Sequence, residues 1–142
     1  MRVFVCCFLT VGIFVVVLSR AQSAETADRS AYDALIAGQA QASGVPASLI
    51  RRVRESRYNA RAVSRGNYGL MQIRLGTARA MGYSGSAAGL LDPTTNMTYA
   101  VRYLAGAYRA AGSNESRAVA LYARGYYQQA KTQGFSPYAS AQ

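Results

Sequence analysis

The stretch "ESRYNARAVSRGNYGLMQI", residues 55–73, holds one carboxylate, Glu55, among Arg57, Arg61 and Arg65, and ends in the run Gly69-Leu70-Met71-Gln72-Ile73. Just before it, "PASLIRRVRES" reads as a helix. Pro46 suits a first helical position, and Leu49, Ile50 and Val53 recur toward a core, which puts Glu55 in the last turn. Residues 57–68 read as a loop carrying Asn59, Ser64, Gly66 and Asn67. "YGLMQIRLGTARAMG" then reads as a short helix, interrupted at Gly76 and continuing to Gly82.

Outward from this centre the chain stays helical. Residues 25–30 are a polar lead-in. Residues 31–43 place Tyr32, Leu35, Ile36 and Gln39 on one helical face, ended by Gly44. A Gly- and Ser-rich loop covers 83–92. The clearest helix is "DPTTNMTYAVRYLAGAYRAAG": Asp92 caps it, Pro93 opens it, Met97, Val101, Leu104 and Tyr108 recur at helical spacing, and Gly112 stops it. "ESRAVALYAR" is another helix, Gly125 breaks it, and "YYQQAKTQG" forms a last short one. Outside the N-terminal segment nothing alternates with period two for long. The expectation is a mostly α domain of about six helices.

The first residues, "MRVFVCCFLTVGIFVVVLSRAQSAET", have the form of a secretory signal. Arg2 precedes an apolar run from Val3 to Leu18, and the small residues Ser19, Ala21, Ser23 and Ala24 follow. This gives a signal over 1–24, with cleavage after Ala21, Ser23 or Ala24, and a mature domain over 25–142. An uncleaved anchor is the alternative, though the run is short for a spanning helix of about 20 residues. Cys6 and Cys7 fall inside the segment, so the mature domain has no thiol and no disulfide. It also has no His, which removes most nucleophilic triads and zinc sites. No phosphate-binding or dinucleotide motif appears. No metal and no cofactor are expected.

The whole chain carries 16 basic residues against 6 acidic ones, a formal charge of +10, and Lys131 is the sole lysine. Such a surface attracts polyanions. The export signal turns that toward wall polymers, anionic lipid or glycans and away from nucleic acid. Of the six acids, Glu25, Asp28 and Asp33 lie near the mature N-terminus, Asp92 reads as a cap, and Glu115 starts a helix where the dipole favours it. Glu55 differs, because a helix C-terminal end disfavours a carboxylate. In apolar surroundings its pKa would rise to suit a general acid. On local sequence alone, a solvated ion pair with Arg51, Arg52 or Arg54 is the better reading. Asn96-Met97-Thr98 and Asn114-Glu115-Ser116 match the N-glycosylation pattern and read as chance matches.

The wider pattern reverses the local preference. Glu55-Ser56, Asn59, Ser64, Gly66 and Gly69-Leu70-Met71-Gln72-Ile73 resemble the signature of lytic transglycosylases of the soluble (SLT) type. Gly76-Thr77-Ala78, "LLDPTTNMTYAVRYL" and "AVALYARGYY" resemble later motifs of that family, so the likeness covers about residues 31–130. It implies a lysozyme-like single domain around a glycan-binding cleft. It also implies cleavage of the MurNAc-β-1,4-GlcNAc bond of peptidoglycan with 1,6-anhydro ends. Two carboxylates usually flank a scissile glycosidic bond. The resemblance implies that Glu55 serves alone, as acid and then base, with help from the substrate's N-acetyl group. It further implies that Ser64 and Gln72 contact sugar and that Tyr122 hydrogen-bonds Glu55. Locally, Tyr122 reads equally well as a core aromatic. Gly69 permits close packing or substrate approach, Leu70 and Met71 are core, and Asn59 is a turn residue.

The chain departs from the family pattern at Ala123-Arg124, where an Asn usually follows the Tyr. Arg124 is therefore a candidate replacement contact. Arg74-Leu75 stand where many members have Met-Pro, which makes the cleft floor more basic. The alternatives are a muramidase on the same scaffold, a weakly catalytic wall-binding protein and a cationic membrane-active protein. Peptidoglycan strands are the expected partner, with an envelope or secretion-machinery partner besides. After signal cleavage the expected state is a monomer without stable membrane insertion, periplasmic or secreted. The lack of a wall anchor points to a bacterium with two membranes.

Overall fold

A computed structural model describes residues 8–53 and 59–138. They fall into two compact units, one reaching to Asp33 and one beginning at Ala34. Helix α1 runs over Phe8–Ser43. Residues 26–30 are therefore helical and exposed, not an irregular lead-in. They lack an apolar face, so periodicity says nothing of them, but no Gly or Pro interrupts the chain from Ile13 to Ala37. Among the described residues no helix is long and apolar enough to cross a membrane.

In the second unit, Ile36 of α1 is buried and Gln39 donates to the Thr98 hydroxyl at 3.4 Å. Gly44, at φ 67°, ends α1 in the left-handed region that only glycine enters without cost. Helix α2 is described over Ala47–Val53, and the Pro46 carbonyl accepts from Leu49 and Ile50 at its start. Its Leu49, Ile50 and Val53 are buried as the spacing predicts.

The stretch after Asn59 corrects the sequence reading. The loop over 57–68 and the short helix after it give way, among the described residues, to a three-stranded antiparallel sheet. Its strands are β1 (Val63–Ser64), β2 (Asn67–Tyr68) and β3 (Ile73–Arg74), in that order. Strands of two residues carry no alternation to detect. What shapes them is backbone handedness. Ser64 pairs with Asn67 across Arg65 and Gly66, whose φ values of 50° and 78° suit a two-residue hairpin turn. Gly69 and Gln72, at φ 71° and 51°, turn the chain again, so no helix forms over 68–74. Helix α3 begins only at Leu75 and runs to Ala80, with Gly76 inside it rather than breaking it.

The loop over 83–92 holds a 3₁₀ turn at Ala87–Leu91 and leads into α4 (Pro93–Ala110). Helices α5 (Glu115–Arg124) and α6 (Tyr127–Thr132) follow, with Gly125 at φ 89° between them. Helix α4 is the axis of the core. Its Met97, Ala100, Val101, Leu104 and Ala107 are buried, and the small alanines let α5 approach through Ala118 and Leu121. Helix α2 packs on α5, while α3 and the 3₁₀ turn pack on α4.

Asp92 caps α4 as expected, accepting from the Thr95 amide at 2.8 Å. These hydrogen bonds hold its carboxyl below the ordinary value of 3.8. A depressed pKa contributes stability above the unfolded value, and that stability is lost as pH falls through the folded one. Asp92→Ala should cost about 1 kcal/mol at pH 7. In parallel thermal melts, the gap from wild type should shrink as the pH is lowered below the folded pKa.

Candidate active site

The small sheet, the start of α3, the middle of α4 and the last turn of α5 line a cleft of about 940 Å³. That lies at the upper end of the range of about 300–1,000 Å³ typical of ligand sites. Ser64, Gln72, Arg74 and Thr77 line it from the sheet and α3, and Tyr103, Tyr122 and Arg124 from α4 and α5. Residues 58 positions apart, Ser64 and Tyr122, thus meet at one site, together with Gln72 and Arg124. Glu55, with Arg54, Ser56, Arg57 and Tyr58, lies outside the described residues.

Gln72 is tied down by its own amide. Its Nε2 donates to the Gly69 carbonyl at 2.9 Å and to the Ala62 carbonyl at 3.1 Å. Its backbone amide also donates to Gly69, at 3.2 Å. These bonds offset the strain of a non-glycine residue at positive φ. They commit the amide nitrogen to the turn and leave the oxygen for a ligand. Ser64 presents its exposed residue in β1, and its carbonyl accepts from Asn67 at 3.0 Å. Asn59 is a turn residue as expected, its side chain accepting from the Arg61 amide at 3.0 Å.

Tyr122 donates its hydroxyl to the Met71 carbonyl at 3.1 Å, and its ring lies 5.4 Å from Tyr103, tilted by 60°. It is both a packed aromatic and a polar anchor for the turn. Its expected bond to Glu55 lies outside the described residues. Tyr103 also packs on Tyr126 at 4.8 Å. Burial pushes the hydroxyls of both Tyr103 and Tyr126 above the ordinary phenol value. Tyr126 sits deepest, and its one hydroxyl proton is shared between the carbonyls of Tyr103 and Pro137, whose oxygens lie 2.9 and 3.0 Å away. Tyr103 and Tyr122 line the cleft, and Tyr126 packs against Tyr103.

The residue whose role sequence reasoning missed is Asn96, which it met only within the "LLDPTTNMTYAVRYL" motif and as a glycosylation match. It is fully buried in α4. Its Oδ1 accepts from the Met71 amide at 2.9 Å, and its Nδ2 donates to the Tyr68 and Leu90 carbonyls at 2.7 and 2.8 Å. Glycosylation there is excluded by burial and by these bonds. The turn at Gly69 lies so close that a Cβ on Gly69 would collide with the Asn96 amide and the Leu90 carbonyl. The glycine thus serves packing here. The Met71 backbone is held on both sides, its amide by Asn96 of α4 and its carbonyl by Tyr122 of α5. The available signal was a polar residue one turn before Ala100 on the apolar face of the clearest helix.

Three carboxylates lie between residues 34 and 139: Glu55, Asp92 and Glu115. Asp92 caps α4. Glu115 accepts from the Ser48 hydroxyl at 2.8 Å and pairs with Arg52 at 3.5 Å. Neither lines the cleft. Among the described residues there is no cluster of three or more side chains able to hold a metal.

A family model described as transglycosylase SLT domain matches residues 34–139. Searches of curated proteins and of solved structures gave no match. The matched segment holds the whole second unit up to its last residues, the cleft included. The chain belongs to the lytic transglycosylases of the SLT-domain type, a lysozyme-like family acting on peptidoglycan.

Proposed function

We propose that the protein cleaves the MurNAc-β-1,4-GlcNAc bond without water, leaving 1,6-anhydro ends, with Glu55 as the sole acid and base. The observation that carries this is the family match together with the fate of the other carboxylates. Within the matched segment, Asp92 and Glu115 are held in structural bonds away from the cleft, and no His or Cys exists there. Glu55 is what remains for proton transfer.

In the first step Glu55 gives its proton to the glycosidic oxygen as the bond from that oxygen to C1 breaks. The N-acetyl group steadies the electron-poor C1, a recognised substrate-assisted alternative to a second carboxylate. In the second step the muramyl 6-hydroxyl oxygen bonds to C1 and its proton passes to Glu55, which returns to its starting form. Water is absent from the balance. Ser64 and the Gln72 oxygen contact sugar, and Tyr122 positions the carboxyl. Mass spectrometry of muropeptides released from purified peptidoglycan tests this. Anhydro ends support it, reducing ends make the protein a muramidase, and no release sinks the enzymatic reading.

The same proposal places the reaction outside the cytoplasm. The apolar run from Val3 to Leu18 and the small residues after it support export. Intact-mass analysis of protein made with its leader should show a new N-terminus within residues 22–25. Recovery of the uncut chain from the membrane would overturn this in favour of an anchor.

A further inference from the structure

Arg65, Arg74 and Arg124 all line the cleft, and all three are exposed. No carboxylate is among the described lining residues, and no described residue forms an ion pair with any of the three. Even with the one carboxylate, Glu55, that the proposed reaction brings to this cleft, three guanidinium groups leave the site net positive, and such a site attracts an anion. Two of them, Arg74 at the end of β3 and Arg124 at the end of α5, come to this site from opposite parts of the chain. The third stands against its backbone: Arg65 occupies the first turn position of the hairpin at φ 50°, where Asn or Gly is favoured. A side chain chosen against local preference, and turned to a cleft, is chosen for what it meets there.

We propose that Arg65, Arg74 and Arg124 form a carboxylate-binding subsite, so that the cleft reads the acidic substituents of the muramyl residue as well as the sugar. This rests on the peptidoglycan reading above and names the part of that substrate the arginines select. Guanidinium groups suit the role, because their planar donors pair with carboxylates in two parallel hydrogen bonds. The carboxylates have two sources in such a strand: the stem peptide, and the lactyl group once the peptide has been removed.

The test measures dissociation constants for three ligands of equal length: a stem-bearing glycan, the same glycan without peptides, and a neutral GlcNAc oligomer. The full chain is used with Glu55→Gln, so that ligands stay intact, and recovered ligands are checked by mass. Arg65→Asn, Arg74→Gln and Arg124→Gln are compared singly and together, with Arg117→Gln, outside the cleft lining, as a control for net charge. Each cleft substitution should weaken the carboxylate-bearing ligand about threefold, and the triple about tenfold or more, with the neutral oligomer little changed. Salt should erode the difference in the parent protein and not in the triple variant. Loss confined to the stem-bearing ligand assigns the stem peptide, and loss shared by the bare glycan assigns the lactyl group. Equal loss for neutral and acidic ligands, or the same loss in Arg117→Gln, overturns the subsite. Reducing or absent products from wild type, with selectivity intact, would instead sink the proposed reaction and leave the subsite standing.

Discussion

Glu55→Gln should lower anhydro-muropeptide release by about 10⁴-fold while leaving the thermal midpoint unchanged. A positioned acid or base typically contributes about 10²–10⁴ in rate. Most glycosidases divide the two tasks between two carboxylates, so one substitution removes one task. Neither of the other two carboxylates in the matched segment lines the cleft. Asp92 is spent on the Thr95 amide and Glu115 on Ser48 and Arg52. In the mechanism proposed above a single substitution removes both proton transfers, which places the expected loss at the upper end. Gln keeps the size and hydrogen-bonding shape of Glu, so the fold has no reason to fail. The check is the initial rate of release alongside a melt of the same preparation. Activity within tenfold of wild type, in a folded variant, would show that another group carries the protons.

The same arithmetic explains what was legible in the sequence. Helix α4 was readable to the residue at its start, because Asp92 and Pro93 are local signals and Met97, Val101 and Leu104 repeat them at a distance. The small sheet was not readable. Its strands are two residues long, and its shape comes from four positive φ values between Arg65 and Gln72. Two of those belong to Arg and Gln, which give no local hint of left-handed backbone. The candidate site was legible as a motif and not as a geometry. The order of Ser64, Gln72 and Tyr122 along the chain carried them to one cleft. Nothing in that order showed that Gln72 binds its own turn or that Tyr122 holds the Met71 carbonyl. Asn96 was visible as a glycosylation pattern and as one position of the motif in "LLDPTTNMTYAVRYL", but neither says that its partners are backbone groups far along the chain.

Asn96→Leu should be the most damaging substitution for stability, at about 3–5 kcal/mol. Leucine has the same branching as asparagine and suits an apolar face, so apart from a mild overpacking by its bulkier methyl groups, polarity alone would predict a favourable change. The hydrogen bonds decide otherwise. Three buried backbone groups depend on this side chain: the Met71 amide and the carbonyls of Tyr68 and Leu90. Each buried polar group left without a partner costs about 1–3 kcal/mol. Water cannot easily replace the amide, since Gly69 already presses against it closely enough to exclude a methyl group. Asn96→Asp separates hydrogen bonding from shape. It keeps an acceptor for the Met71 amide but turns the donor into an oxygen facing two carbonyls, so it should be as damaging as leucine despite its nearly identical size. Urea unfolding of wild type and both variants measures this, with unchanged m-values showing that stability and not the denatured state has moved. The activity of whatever folded fraction remains carries the second half of the argument. Freed from Asn96, the turn that carries Gln72 and accepts the Tyr122 hydroxyl loses its fixed position, and 1 Å of misplacement is enough to cost about 10²-fold in rate. An aspartate variant that was as stable as wild type would mean that the turn is held by Gly69, Gln72 and Tyr122 without Asn96.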